Sequence, residues 1–538
     1  MPQTLLQRIE KLAEIGIALS AEKDTPRLME MILLGAKAIT NADAGTLYSV
    51  TEDGHIAMEI LRTDSLNFAM GGATGTPVPF PPIPLRDSAG LPNRRMVVTY
   101  AVHEDTTVNI PDAYDAEGFD FSGTRDFDRR TGYRSRSFLT VPMKNHEGDI
   151  IGVLQLINAQ DEDTGAVIPF SDEAERFTRA LASQAAIALT NKRLIGDLQN
   201  LFKSFIHLIA EAIDEKSPHT GQHCRRVPVI TMLLAEAAAA ANDGPFRDFR
   251  LSDEDRFELE VAAWLHDCGK ITTPDHVMDK ATKLETRFDR IALVEARFEV
   301  LRRDAEIALL RRRLEAGNNA RAIAEADAEY AATCARLADE RVFLRGVNLG
   351  GEFLSEAAQA RVKAIAQQGF TTFDGDTARL LTDEETYNLC ISRGTLNPTE
   401  RQIINNHIVA TQKMLEALPF PKQLRRVPEY AGSHHERVDG RGYPHGLTGA
   451  QMSVQARIMA IADVFEALTA SDRPYKPGKP LSESLAILAD MARDGHIDAD
   501  LFALFVRARV HLRYAEQYLN PAQIDAIVPD ETFLARQA

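Results

Sequence analysis

Apolar and polar positions in the first 170 residues follow two different periods. Apolar residues recur three and four apart in LLQRIEKLAEIGIALS (residues 5–20) and over 27–39, which predicts two amphipathic helices. The runs AGTLYSVTED and HIAMEILRTD, and later SFLTVPMKN and DIIGVLQLINAQ, are typical of strands joined by short turns. The Pro- and Gly-rich stretch GGATGTPVPFPPIPL between the two pairs indicates a loop. The pattern predicts an α+β domain over residues 1–192.

A helical period begins after Ser171 and continues for roughly forty-five residues, well beyond the usual length of a helix. Ser171 is suited to cap the helix, acidic residues occupy the first turn, and only Gly196 interrupts the pattern. We expect a long helix that connects two domains, with residues 193–216 as the connector proper. Its apolar stripe favours parallel pairing with a second copy of the chain. The alternative is two ordinary helices, each packed on its own domain.

The chain beyond about residue 200 has an almost entirely helical pattern. Residues 286–345 are rich in Ala, Glu, Arg and Leu and lack proline, which predicts a helical hairpin that turns at 317–319. We assign this hairpin to a structural insertion of about residues 286–394 that carries no chemical motif. The segment 342–385 either covers the active site as a lid or extends the insertion.

Composition restricts the class of protein. The formal net charge is −17, which argues against a protein that binds duplex nucleic acid through a basic face. No apolar run reaches the length of a membrane span, and the N-terminus has no secretory segment, so we expect a cytoplasmic protein. The four cysteines form no CxxC pair, which argues against a zinc ribbon and against a disulfide framework.

Histidines and aspartates recur at five places in the helical half. A lone buried histidine is more often a core residue than a ligand, but an unpaired acid within an apolar helix is costly. Together these residues could bind two or three divalent ions, and imidazole and carboxylate ligands suit Fe, Mn, Co, Ni or Zn. The candidates are His219, His223, His266, Asp267, His407, His434, His435 and Asp463.

The sequence around these residues resembles the HD-GYP subclass of HD-domain phosphohydrolases. The resemblance rests on HTGQHCRRV, HDCGK, ERQIINNH, HHERVDGRGYP and ADVFEALTASDRPYK, and covers about residues 200–285 and 395–515. It implies an all-α, metal-dependent cyclic di-GMP phosphodiesterase domain with iron or manganese. All eight candidates then correspond to metal ligands, with Asp267 as the bridging carboxylate. His219 stands where trinuclear members have glutamate, which leaves the number of ions at two or three.

The resemblance also implies roles around the metal centre. Asp267 and Lys270 are the expected catalytic residues, and Lys270, Arg473 and Lys476 are expected to contact the substrate phosphates. Tyr443 lies in the loop that should border the substrate pocket, and Glu436 either orients a ligand histidine or forms a salt bridge. The expected products are pGpG and, after a second step, GMP. The alternatives are a degenerate receptor for the dinucleotide and a phosphohydrolase of another cyclic dinucleotide.

Most of residues 107–189 resembles a GAF domain, closest to those of cyclic-nucleotide phosphodiesterases. Asn158, Phe170, Asp172 and Glu173 meet part of that family's signature, but Ala159 replaces its lysine. A ligand sensor, for a small molecule or a cyclic nucleotide, and a ligand-free dimerisation module both fit. The resulting architecture is a GAF domain (1–192) that regulates an HD-GYP domain (217–538) through the connecting helix. We expect a homodimer formed through the GAF domain and this helix.

Overall fold

The computed structural model describes residues 5–22, 24–216, 222–351, 353–471 and 478–525. The chain divides into two compact units, residues 1–201 and 202–538. The first unit is α+β and the second is mostly helical, as the sequence pattern predicts. The predicted domain boundaries at residues 192 and 216 stay predictions. No helix in the described part of the chain is long and apolar enough to span a membrane.

The first unit consists of helices around one antiparallel sheet. The helices are α1 (Leu5–Ala21), α2 (Thr25–Thr40), α3 (Val97–Glu104), α4 (Ser122–Thr131) and the first part of α5 (Asp172–Lys216). The strands are β1 (Ala42–Val50), β2 (His55–Thr63), β3 (Phe68–Gly71), β4 (Ile83–Pro84), β5 (Val108–Ile110), β6 (Phe138–Lys144), β7 (Ile150–Gln160) and β8 (Val167–Ile168). The four strands predicted from alternating patterns are β1, β2, β6 and β7.

The sheet follows the order β3-β2-β1-β7-β6-β5, with β4 paired to β2 and β8 to β7. In the central pair, Leu47 of β1 faces Leu154 of β7. Both leucines pack with Ile32 of α2 and Leu181 of α5 in the main core of this unit. Apolar residues on the sheet therefore hold the helices that follow and precede it.

Helix α5 is a single helix of 45 residues, so the long-helix prediction is confirmed and the two-helix alternative is wrong. The Ser171 hydroxyl accepts a hydrogen bond from the Ala174 amide at 3.1 Å, which caps the first turn. Gly196 lies within the helix and has open space where a side chain would be. A single glycine inside a helix costs only about 1 kcal/mol, too little to break a helix of this length.

The second unit begins with the last part of α5. Its other helices are α6 (His223–Ala240), α7 (Asp253–Leu265), α8 (Asp275–Met278), α9 (Ile291–Ala316), α10 (Ala320–Asn348), α11 (Glu356–Ala366), α12 (Asp383–Leu389), α13 (Pro398–Asn405), α14 (His407–Glu416), α15 (Val427–Gly432), α16 (Val454–Thr469), α17 (Leu481–Arg493), α18 (Ala499–Arg507) and α19 (Val510–Tyr518). A short strand pair, β9 (Gly369–Thr371) and β10 (Thr377–Arg379), interrupts this order. The main core joins α6, α7, α15 and α16 to the last three helices.

The insertion forms a core of its own. Helices α9 and α10 make the predicted hairpin, and Asn319 caps α10 by accepting from the Ala322 amide at 3.2 Å. Val362 of α11 and Leu380 beyond β10 pack with Phe298 of α9 in the same cluster. The segment 342–385 therefore extends the insertion. The strand pair was not predicted, because strands of three residues leave no readable alternation.

Phe505 offers a test of the helical core. It is fully buried and lies against Phe465 with ring centroids 5.0 Å apart. Phe505→Ala should destabilise the second unit by about 3–5 kcal/mol, because it removes a buried aromatic ring and leaves a cavity. Urea unfolding followed by circular dichroism would measure the shift. Phe373→Ala is the matched control, since Phe373 is fully exposed and its truncation should leave the midpoint unchanged.

Candidate metal centre

Seven of the eight predicted metal ligands converge in the second unit. Most of them lie at the first residue of a helix or just after the last one. The helix therefore fixes the backbone position of each ligand. His223 begins α6, His266 and Asp267 follow α7, His407 begins α14, His434 and His435 follow α15, and Asp463 lies within α16. His219, Arg473 and Lys476 lie outside the described residues.

One group of donor atoms surrounds the first half of the site. His223, His266 and Asp267 present ligand atoms that all lie within 4.8 Å of one another. Oδ2 of Asp267 lies 3.2 Å from Nε2 of His223 and 3.2 Å from Nε2 of His266. All three residues are buried. Two imidazoles and a carboxylate could hold one divalent ion here.

A second group stands on the other side of Asp267. His407, His434 and His435 also bring ligand atoms within 4.8 Å of one another. Oδ1 of Asp267 lies 3.3 Å from Nε2 of His407, so its two oxygens face different histidine groups. Asp463 likewise approaches both groups, with Oδ1 3.2 Å from His223 and Oδ2 4.0 Å from His435. The arrangement could hold two ions with a shared carboxylate.

Three of the histidines are oriented in the same way. In each, Nδ1 lies within hydrogen-bond distance of the carbonyl oxygen three residues earlier in the chain. The pairs are His266 with Ala263 at 2.7 Å, His407 with Ile404 at 2.5 Å and His434 with Ala431 at 2.7 Å. A carbonyl only accepts, so Nδ1 carries the proton and donates it. The lone pair of Nε2 therefore points into the site, as ligation requires.

His223 is oriented by a buried carboxylate that the sequence reasoning missed. Its Nδ1 contacts Oε2 of Glu466, whose Oε1 accepts a hydrogen bond from Nε of Arg226 at 2.6 Å. Burial alone would raise the pKa of Glu466, but His223 and Arg226 lower it to about 2. Glu466 is thus an ionised positioning residue. The available signal was an acid three residues after Asp463 on an apolar helix, and an arginine three residues after His223.

Unsatisfied buried atoms test whether the residues suit a cation. Among the described residues, both carboxylate oxygens of Asp267 and Nε2 of His434 lack a well-directed hydrogen bond. Burial would raise the pKa of Asp267, but Lys270 and His266 hold it well below its usual value. Burial also holds the pKa of His434 well below its usual value. An ionised carboxylate and a neutral imidazole with free lone pairs fit a divalent metal ion.

Charge around His223 supports the same conclusion. Burial alone would lower the pKa of this imidazole, but Glu466, Asp267 and Asp463 together raise it well above its ordinary value. The three carboxylates therefore favour a positive charge at this point of the site. Either a proton or a metal ion can supply that charge, and the two compete for the ring.

Lys270 approaches the centre from a short 3₁₀ helix, Cys268–Thr272. Its Nζ lies 2.6 Å from Oδ2 of Asp267. Burial would lower the pKa of Lys270, but Asp267 raises it, so the side chain stays cationic. Cys268 is a packing residue, since burial raises the pKa of its thiol to about 11.

Gly269 allows the 3₁₀ helix to lie directly against α14. A Cβ atom at this position would be 2.0 Å from the carbonyl oxygen of His407. The Gly269 amide donates to Oγ1 of Thr411 at 2.9 Å. This contact sets the distance between Asp267 and His407, because both residues adjoin it.

The loop after His435 is held by Glu436, in a role that differs from both predicted alternatives. Its carboxylate is buried and accepts from the backbone amides of His445 at 2.7 Å and Leu447 at 2.9 Å. Within the described part of the chain, Glu436 makes no hydrogen bond to a ligand histidine and no salt bridge. The loop carries Tyr443, whose ring stacks on His435 with centroids 4.9 Å apart.

A cavity of about 520 Å³ opens beside the metal centre, a size that suits a small-molecule ligand. His435, Asp463 and Tyr443 border it on the side of the centre. The rest of its lining includes Arg437, Arg441, Val464, Ala467, Leu468, His496 and Ile497. Tyr443 lines this cavity, and its role as a substrate contact stays a prediction.

In the first unit, Asn158 has a structural environment. Its Oδ1 accepts from the Arg136 amide at 2.7 Å, and its Nδ2 donates to the Arg134 carbonyl at 2.8 Å. Phe170 is buried in the core of the unit, while Asp172 and Glu173 are exposed at the start of α5. Asn158 and Phe170 thus have structural contacts, and none of the four signature residues by itself indicates a ligand.

Comparison with known families agrees with both units. The GAF domain family matches residues 24–189. Two family models described as HD domain match residues 220–339 and 376–501. The chain therefore carries an N-terminal GAF domain and an HD domain, the organisation that the motifs predict for a protein of the HD-GYP type.

Several curated relatives are similar over part of this chain. It is 39% identical over 132 residues to 3'3'-cGAMP-specific phosphodiesterase 1 of Vibrio cholerae, a segment that covers 24% of this chain and 29% of the relative. It is 38% identical over 115 residues to a cyclic di-GMP phosphodiesterase of Pseudomonas aeruginosa, over 21% of this chain and 27% of the relative. A cyclic di-GMP phosphodiesterase of Thermotoga maritima is 38% identical over 96 residues, or 18% and 26%. The similar segments span less than a third of each relative.

Glu466→Gln should weaken metal retention by about tenfold or more, because the neutral amide no longer fixes the proton on Nδ1 of His223. Metal content per chain after dialysis against a graded chelator would measure this. Glu416→Gln, on the exposed face of α14, is the matched control and should retain metal as the wild type does. Equal retention by all three proteins would show that Glu466 does not position a ligand.

Proposed function

We propose that this chain is a metal-dependent phosphodiesterase that hydrolyses cyclic di-GMP to pGpG and, in a second step, to GMP. The observation that carries the proposal is the buried Asp267 carboxylate, whose two oxygens face two separate histidine groups. A substrate-sized cavity adjoins these groups. Relatives named as cyclic dinucleotide phosphodiesterases support the substrate class.

We propose two divalent ions, iron or manganese, as the cofactors of this site. The proposed ligands are His223, His266, Asp267, His407, His434, His435 and Asp463, with His219 as a candidate for a third ion. Bound ions supply Lewis-acid activation of water and stabilise charge on the phosphate. The Nε2 lone pairs that point into the site and the ionised carboxylate of Asp267 are suited to bind these ions.

The remaining residues act on the substrate phosphate. Lys270 forms an ion pair with Asp267. Its ammonium group is suited to bind a phosphate oxygen as negative charge builds on the phosphate during the reaction. Tyr443 borders the cavity and limits where the sugar can lie. Arg473 and Lys476 remain proposed phosphate contacts from the family resemblance. Addition of one water across the bond between phosphorus and the 3′ oxygen opens the ring and gives pGpG with a 5′ phosphate.

A second candidate substrate is 3'3'-cGAMP. The Vibrio cholerae relative that is 39% identical carries that substrate in its name. The two substrates share the phosphodiester ring and differ in one base, so the same metal chemistry would serve both. A receptor that binds without hydrolysis is the third alternative.

Asp267→Asn should abolish hydrolysis, with a loss of at least about 1,000-fold, because an uncharged amide cannot bridge two cations. Product formation from cyclic di-GMP and 3'3'-cGAMP would be followed by chromatography on metal-replete protein. Asp374→Asn, at an exposed loop position, is the matched control and should retain full activity. Tight binding with no turnover by the metal-replete wild type would establish the receptor instead.

We also propose that the chain is a homodimer paired along α5 and regulated through its GAF domain. Apolar side chains occupy positions a and d of a heptad repeat on this helix, with Asn191 at one a position. They are Ile187, Leu194, Leu198, Leu201, Phe205 and Leu208, which are 52–66% exposed. At about 100 Å² each, these six side chains would supply about 600 Å² of the roughly 800 Å² per partner of a standard interface. The single asparagine would fix a parallel register.

Introducing Leu194→Glu together with Leu201→Glu should convert the dimer to a monomer, because two buried charges per chain would face their copies across the seam. Light scattering coupled to size exclusion would measure the mass. Gln199→Glu adds a charge off the seam and should leave the dimer intact. A wild-type protein that is monomeric at micromolar concentration would contradict the proposal.

A further inference from the structure

The loop that carries Arg441 is held rigidly beside the cavity. The amide of Asp439 donates to the carbonyl of Gly495 at 3.0 Å, so the loop is tied to the turn after α17. Within the loop, a Cβ atom on Gly442 would lie 2.3 Å from the Arg437 amide, so only glycine permits this close return of the chain. A side chain on such a loop is presented in a fixed place, which lowers the entropic cost of binding a ligand.

The two arginines of this loop differ in their pairing. Arg437 forms a two-point pair with Asp439, with Nε at 3.1 Å from Oδ1 and Nη2 at 2.7 Å from Oδ2. The same carboxylate accepts from the backbone amide of Arg441 at 2.9 Å. The guanidinium of Arg441 has no ion pair or hydrogen bond to any described residue, although it lines the cavity. Its planar set of donors is therefore available to a ligand.

Part of the wall of the cavity that Arg441 lines is apolar. Val464, Ala467 and Leu468 follow Asp463 along α16 and line the cavity. Ile497, which comes two residues after Gly495, also lines it. From Asp463 to Leu468 the helix rises by about 7.5 Å. A nucleotide whose phosphate lies beside Asp463 would place its base in the cavity that these apolar side chains and Arg441 line together. Flat bases are suited to apolar walls, with polar contacts confined to their edges.

We propose that Arg441 recognises a guanine base of the substrate by donating two parallel hydrogen bonds to O6 and N7. Guanine presents these two acceptors side by side, whereas adenine presents one acceptor next to the N6 donor. Arg441 would thus make this chain select cyclic dinucleotides that contain guanine. The inference rests on the proposed phosphodiesterase function and specifies its substrate preference.

The alternative role for an unpaired arginine is contact with the phosphate that is not cleaved. A lysine at position 441 could still bind the phosphate, but it could not recognise the guanine base. A lysine retains a point charge that binds phosphate, but it loses the planar fork that matches O6 and N7. The phosphate is also the same in every cyclic dinucleotide, while the base is not. Base identity and the lysine variant therefore separate the two roles.

The experiment compares Arg441→Ala, Arg441→Lys and the wild type on cyclic di-GMP, 3'3'-cGAMP and cyclic di-AMP. Values of kcat/KM and of the dissociation constant measured by calorimetry are determined for each. Bis(p-nitrophenyl) phosphate, which carries no base, reports on the metal centre alone. Arg425→Ala is the matched control, since Arg425 is exposed and does not line the cavity.

For the wild type we expect a preference for cyclic di-GMP over cyclic di-AMP of about tenfold or more, both in kcat/KM and in affinity. Both Arg441 variants should lose most of this preference while hydrolysing bis(p-nitrophenyl) phosphate at the wild-type rate. Arg425→Ala should behave as the wild type does.

An equal loss on all three dinucleotides that Arg441→Lys restores would assign the residue to phosphate and overturn the proposal. An unchanged preference in Arg441→Ala would also overturn it, as would loss of metal content in both variants. Failure of the proposed function is seen separately, as a wild type that cleaves bis(p-nitrophenyl) phosphate but none of the dinucleotides. The affinities would still test base recognition in that case.

Discussion

The second unit depends on one buried charge, the carboxylate of Asp267. Only 2% of this residue is exposed, and an ionised carboxylate in such a place costs several kcal/mol unless cations compensate it. Lys270 at 2.6 Å supplies part of that compensation, and the arrangement of imidazole lone pairs around both oxygens is suited to supply the rest through metal ions. Removal of a compensating partner would leave the Asp267 charge unpaired. The helices that carry these partners must therefore all hold their side chains close to this one carboxylate.

That constraint explains why the ligand positions are fixed by backbone contacts. Three imidazoles are oriented by the carbonyl three residues earlier, which any helix end provides without a dedicated side chain. His223 begins α6, and the carboxylate of Glu466 contacts its Nδ1. Gly269 removes the side chain that would separate Asp267 from His407. Each device fixes an atom to which a metal ion or a phosphate can bind.

Sequence reasoning succeeded where a pattern is local. Alternation located the four main strands, helical period located α5 and the α9–α10 hairpin, and the motif text identified seven donors that do converge. It failed where a role depends on packing between distant segments. Glu466 and His223 are 243 residues apart, so the local pattern around each residue does not show that the two are in contact. The sequence predicts that Glu436 forms a surface salt bridge or orients a ligand histidine. In the structure its carboxylate instead accepts hydrogen bonds from two backbone amides of the loop that follows. The roles of the donors as metal ligands stay a prediction.

Helix α16 shows how these constraints are combined on one element. Asp463 faces both histidine groups, and Glu466, one turn later, faces His223 from the second side. Val464, Ala467 and Leu468 lie between and beyond them and form the apolar wall of the cavity. A rotation of this helix about its axis would therefore move a donor, a positioning group and the cavity wall together. Because Phe465 anchors the opposite face against Phe505 and Tyr514, the hydrophobic core sets that rotation. The same packing that stabilises the unit thus fixes the geometry between the candidate metal centre and the adjoining cavity.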